Sequence, residues 1–148
     1  MLLSCATCNQ KCKEALFPIA DETRRARFHN DDVSQETALL IQPALENPAD
    51  HITFNKYTAV GVAGSAKGKE TIDVLQLNRN GLVGRRTRWY SVIQNTLQKI
   101  VELENHPALR RTQSAELVAD LLHELSGFAH PDAEFSAMAR VALQPKAT

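Results

Sequence analysis

Leu82-Val83-Gly84-Arg85-Arg86-Thr87-Arg88-Trp89-Tyr90-Ser91-Val92-Ile93-Gln94-Asn95-Thr96-Leu97-Gln98-Lys99-Ile100-Val101-Glu102-Leu103-Glu104 is the stretch on which the fold turns. Leu82, Trp89, Val92, Ile93, Leu97, Ile100, Val101 and Leu103 recur along it at near-helical spacing, which predicts one long amphipathic helix over 82–104. Asn105-His106-Pro107 ends it, because proline has no N–H to donate and disfavours helix in the residue before it. Downstream, Thr112 or Ser114 is placed to cap a helix striped by Leu117, Leu121, Leu122 and Leu125 and stopped at Gly127. Pro131 then opens a last helix with Phe135, Met138, Val141 and Ala142 on its apolar face. Upstream, Lys69 to Leu77 reads as a short helix with Ile72, Leu75 and Gln76 on one side.

The chain before residue 67 has a different character. His51–Asn55 and Tyr57–Val62 alternate and are rich in β-branched and aromatic residues, which predicts a small hairpin followed by a loop over 61–68. Ala38–Ile41 before Pro43 reads as a short buried strand or extended segment, and Asn47-Pro48 as a turn. Nearer the N-terminus, a cysteine-rich turn leads into a helical run from Asn9 to Ala15, stopped at Phe17-Pro18. Asp21–Arg27 suits one further polar helical turn, and residues 29–37 are turn-like. The expected class is α+β, predominantly helical: an N-terminal motif over 1–30, extended segments with the hairpin over 31–66, and a helical region over 67–148. A chain of 148 residues suits one compact domain with its own core.

Seventeen basic and seventeen acidic side chains cancel, so the total charge points to no polyanionic partner. The distribution is uneven. Asp31, Asp32, Glu36, Glu46 and Asp50 stand with no base over 31–50, residues 67–88 carry six bases against Glu70 and Asp73, and 112–135 carry five acids and no Lys or Arg. No apolar run reaches the ~18–20 residues that span a bilayer, and Met1–Ser4 lacks the basic and apolar regions of a signal peptide. Three cysteines within eight residues do not make the disulfide framework of a secreted protein. A cytoplasmic chain with free or metal-binding thiols is expected, with no membrane partner.

Cys5-Ala6-Thr7-Cys8 is the sharpest local motif, because a tight turn at this spacing aims both sulfurs at one Zn²⁺ about 2.3 Å away. Structural zinc takes four ligands, and no second such pair exists. Cys12, one helical turn beyond Cys8, and His29 or His51 are the remaining candidates, and the alternative is a set of reduced thiols packed at a helix start. Arg79, Arg85, Arg86 and Arg88 beside Trp89 and Tyr90 suit phosphate contact and base stacking, or equally a solvated helix face over core aromatics. Ala63–Glu70 imitates a phosphate-binding loop but has Glu70 where the magnesium-binding hydroxyl belongs, and His123-Glu124 lacks the second histidine of a zinc protease because residue 127 is glycine. The five histidines show no shared spacing with a carboxylate partner.

Leu2-Leu3-Ser4-Cys5-Ala6-Thr7-Cys8-Asn9 with Phe17-Pro18 resembles the second half of the zinc-stapled motif of HNH (ββα-metal) nucleases. More narrowly it resembles the PtuB-like HNH proteins of Septu and retron anti-phage systems. Leu39–Pro43, Glu46-Asn47-Pro48 through Phe54, Thr71-Ile72 through Arg79, Arg85, and Phe135–Arg140 extend the likeness in order along nearly the whole chain. The resemblance implies a partial ββα-metal motif, then the hairpin and a C-terminal helical bundle. It also implies metal-dependent DNA phosphodiester hydrolysis with Mg²⁺ or Mn²⁺, in which a histidine deprotonates the attacking water. Asn9 stands where the family places the last Asn or His of its motif, and Cys5 and Cys8 match one of two zinc-binding pairs, a half-site for structural zinc. The general-base histidine and the other pair are expected N-terminal to Leu2, so this chain is expected to be inactive alone. A partner ATPase of a Septu-type system and DNA are the implied partners, with a non-catalytic module docking to that ATPase or to nucleic acid as the alternative.

Overall fold

The computed structural model describes residues 5–107 and 111–145, so the Leu2–Ser4 part of the family likeness lies outside the described residues. The predominantly helical α+β class is what it shows: a two-stranded antiparallel sheet and four α-helices among short helical turns. The chain forms two compact units. One comprises the described residues up to Asn55 with Ala59–Arg79; the other comprises Lys56–Thr58 and the described residues from Asn80 onward.

The first unit is assembled from short pieces because its polar side chains divert the backbone. Asp21, Asp32 and Asn47 each accept from the amide two residues on, at 3.0, 2.9 and 3.2 Å. Each thereby starts a three-residue 3₁₀ turn, over Glu22–Arg24, Val33–Gln35 and Pro48–Asp50, and none becomes an α-helix. The extended segment expected at 38–41 pairs only through one bridge, Ile19 with Ala38. The hairpin forms as β1, Ile52–Asn55, and β2, Thr58–Gly61. Asn78 clamps β2 through both backbone groups of Ala59, donating to its carbonyl and accepting from its amide at 2.9 Å each.

Helix α1, Ala66–Val74, starts three residues before the expected Lys69, because Ser65 caps it by accepting from the Gly68 amide at 3.0 Å. It ends in a Schellman arrangement: the Leu77 amide reaches the Ile72 carbonyl at 2.9 Å and the Gln76 amide reaches Asp73 at 3.1 Å. The αL position that usually takes glycine is held by Gln76, at φ 47°. Ile19, Ala59, Thr71 and Ile72 form the buried centre of this unit.

In the second unit the expected long helix appears as α2, Asn80–Glu104, packed with α3, Arg111–Ala129, and α4, Ser136–Leu143. Its core is narrower than the apolar stripes suggest. Ile93, Ile100, Leu125, Met138 and Ala139 are buried, whereas Val92, Val101, Leu117 and Leu122 are 40 to 52% exposed. Two expected boundaries move. Thr112 and Ser114 lie inside α3, where the Ser114 hydroxyl donates to the Leu103 carbonyl at 3.1 Å, and α3 runs through Gly127 to Ala129. Pro131 sits in a turn, and α4 begins only after Phe135, which takes φ 59°. Trp89 meets Phe128 edge-on at 5.2 Å, and Tyr90 meets Tyr57 at 6.2 Å, so both aromatics of the basic stretch are engaged within this unit. Among the described residues no helix is long and apolar enough to cross a membrane.

Candidate functional site

The cysteine turn begins with an α-type bond, Asn9 amide to Cys5 carbonyl at 2.9 Å. It then widens into a π-helical turn over Thr7–Lys13, closed by the Glu14 amide on the Asn9 carbonyl five residues back at 3.0 Å. Such turns are rare and recur at functional sites. Cys5 is exposed, and Cys8 and Cys12 are half-buried. The amides of Cys8 and Thr7 point at the Cys5 sulfur and hold its thiol below the ordinary range; the Cys8 thiol and the positive charge of Arg79 add to this.

Arg79 is the residue that organises the turn. One of its guanidinium nitrogens, Nη1, donates to the Cys8 sulfur at 3.4 Å and to the Leu75 and Gln76 carbonyls at 3.3 and 3.4 Å. It therefore closes the C-terminal end of α1 and meets the thiols with the same group. Cys8, Cys12 and Cys5 in turn hold the guanidinium pKa above its usual value. Among the described residues no three His, Cys, Asp or Glu side chains are grouped to hold one ion. Cys5, Cys8 and Cys12 do not form such a set, nor does His29 or His51 complete one. No closed four-ligand zinc centre is assembled among the described residues.

Beside the turn lies a cavity of about 350 Å³. Phe17, Leu40, Ile41, Pro43 and Leu75 give it apolar walls, and Cys8, Asn9, Lys13, Gln42 and Thr71 supply its polar side chains. Thr71 is fixed there by accepting from the Ile41 amide at 3.0 Å. Asn9 is exposed and lines the cavity, and Lys13 sits 6.0 Å from the Phe17 ring centre. None of the lining side chains is an imidazole or a carboxylate.

The four arginines singled out from the sequence have different surroundings. Arg79 is committed to the cysteine turn. Arg86 is 4% exposed, donates to the Tyr57 carbonyl at 3.4 Å and lies 5.8 Å from the Phe135 ring. Arg85 pairs with Glu134 and sits 5.6 Å from the same ring. Arg88 alone of the four is exposed without an ion pair among the described residues; it lines a shallow groove with Arg85, Trp89 and Val92.

Comparison with known proteins gives two relatives. Over 126 residues, 84% of this chain, the sequence is 30% identical to Septu protein PtuB of Bacillus mycoides (strain KBAB4). The chain resembles Septu proteins. Over 107 residues, 72% of this chain, it is also 31% identical to Septu protein PtuA of the same strain. The alignments span 42% of the first relative and 15% of the second, so the chain covers less than half the length of either. No family model matches, and no solved structure matches.

One polar cluster in the Septu-like sequence escapes pattern reading. The histidines show no shared sequence spacing with a carboxylate, yet His51 Nε2 lies 3.2 Å from Glu46 and its Nδ1 2.8 Å from the Ser65 hydroxyl. An ionised Glu46 can only accept, so Nε2 is the ring nitrogen that carries a proton toward it, and with a neutral ring Nδ1 then accepts from the Ser65 hydroxyl. Lys67 closes the cluster on Glu46 at 2.7 Å. The Lys67 ammonium, the Gln42 amide and His51 hold the Glu46 carboxyl below its usual range. The partners are 5, 14 and 21 residues apart, intervals that match neither helical nor strand periodicity.

Proposed function

We propose that this chain acts in anti-phage defence of the Septu type, as an HNH-related protein that does not cut DNA by itself. The likeness to Septu protein PtuB over 84% of the chain carries the defence role. The cavity beside Asn9 supports the second half. Hydrolysis of a phosphodiester needs a base within hydrogen-bonding reach of the attacking water. The side chains lining this cavity are amides, hydroxyl, thiol and ammonium, with no imidazole or carboxylate among them. Asn9 is a neutral amide; it can orient a ligand but cannot take the proton. Zinc held by Cys5 and Cys8 would need two further donors.

The contribution left to the chain is docking, to a partner ATPase of the system or to DNA. The test is a phage challenge. Bacteria carrying the gene with its neighbours are plated against phage, beside cells in which only this reading frame is interrupted. Loss of protection on interruption, restored from a plasmid, is expected, together with co-purification of a neighbouring ATPase. Equal plating of phage on both strains would refute the defence role.

A further inference from the structure

We propose that the exposed Arg88–Val92–Lys99 face of α2 docks the acidic face of α3 on a second copy of this chain. This rests on the second unit alone and not on the Septu reading. Arg88 and Lys99 are exposed and take part in no ion pair among the described residues. Val92, between them on the same side of the helix, is 40% exposed, and a groove of about 320 Å³ opens beside it against Trp89.

A nucleic acid is a poor occupant. With Arg79 turned to the cysteines, Arg86 buried and Arg85 paired to Glu134, one arginine of the four remains to meet a phosphate. An apolar side chain flanked by carboxylates fits better, and α3 presents one. Leu117 is 47% exposed, and Glu116, Asp120 and Glu124 are exposed on the turns around it, none in an ion pair among the described residues.

The spacings agree. Val92 to Lys99 and Leu117 to Glu124 are both seven residues, about 10 Å of helix. With Leu117 set against Val92 and the two helices parallel, Glu124 meets Lys99, and the long Arg88 side chain has to bridge an axial offset of about 4.5 Å to reach Glu116. The equal numbers of acidic and basic residues mean that two copies carry no net repulsion.

The experiment is sedimentation equilibrium of the full chain at low and moderate salt, with circular dichroism to establish that each variant is folded. The wild-type chain is expected to self-associate, more weakly as salt rises. Arg88→Glu with Lys99→Glu should weaken association about tenfold or more, and Glu116→Lys with Glu124→Lys should do the same. Mixing the two doubly substituted chains should restore it, because each reversed face then meets an opposite charge. A wild-type chain that stays monomeric at about 100 µM overturns the proposal. So does a mixture no stronger than its parts, or loss of duplex DNA binding in Arg88→Glu with no self-association to lose.

Discussion

Gly68→Ala tests the packing of the first unit at its tightest point. A Cβ on Gly68 would stand 1.9 Å from the His51 carbonyl oxygen and 2.9 Å from its carbon, both backbone atoms that no rotamer change can move aside. Carbon–oxygen contacts lie at roughly 3.3 Å or more, so α1 and the loop at His51 must part by roughly 1.4 Å. Two hydrogen bonds cross that seam, Val62 amide to His51 carbonyl and His51 Nδ1 with the Ser65 hydroxyl, each 2.8 Å. Losing them costs about 1 kcal/mol each, and overpacking adds about 1–3 kcal/mol. Alanine returns about 0.5–1 kcal/mol by its better helix propensity. The net is a loss of about 3 kcal/mol, on the order of 10 °C in melting midpoint. Gly81 and Gly84 in α2 are the internal controls: a Cβ at either meets nothing within 4 Å, so alanine there should stabilise by about 0.5–1 kcal/mol. Urea unfolding of the three variants decides it. If Gly68→Ala is as stable as Gly84→Ala, α1 does not lie against His51 as described.

Other perturbations reach separate joints of the fold. Asn78→Ala leaves both backbone groups of Ala59 without their partner and should cost about 2–3 kcal/mol by urea unfolding, since Ala59 is 2% exposed. Gln76→Gly relieves the left-handed residue at the end of α1 and should raise stability by about 0.5–1 kcal/mol in the same assay. Glu46 has a carboxyl pKa below its reference of 4.5, so its contribution is present above that value and is lost as pH falls through the lower folded value. Glu46→Gln should therefore flatten the acid limb of the stability–pH curve, read as melting midpoint against pH. Arg79→Gln loses the contacts to Cys8, Leu75 and Gln76 and should cost about 1–2 kcal/mol of stability by urea unfolding.

The helical half of the fold was legible because α2 carries its apolar residues at one period over many turns, and periodicity sums along a helix. Its neighbours were harder. The leucine stripe of α3 gave the helix correctly, yet only Leu125 is buried, since which leucine meets α2 and α4 is set by packing between helices and not by spacing along one. Gly127 failed as a stop because glycine ends a helix only where the backbone turns to positive φ, and among the described glycines only Gly64 does. In the first unit, Asp21, Asp32 and Asn47 bind their own backbone, and this local chemistry broke up segments that pattern reading joined.

The site was legible only in outline. Cys5-x-x-Cys8 and Asn9 drew attention to the turn that borders the cavity. Arg79, 71 residues beyond Cys8, was grouped by sequence with the other arginines, because nothing along the chain tells that its guanidinium folds back onto a thiol. The same blindness hid His51 and Glu46, whose contact depends on the turn at Pro48–Asp50.

The claim that this chain does not hydrolyse DNA unaided is met most directly by plasmid relaxation. Purified chain is incubated with supercoiled plasmid and Mg²⁺ or Mn²⁺, beside an Asn9→Ala variant. The plasmid is expected to stay supercoiled with both proteins, as in the protein-free control. Relaxation by the wild-type chain that disappears with Asn9→Ala would contradict it.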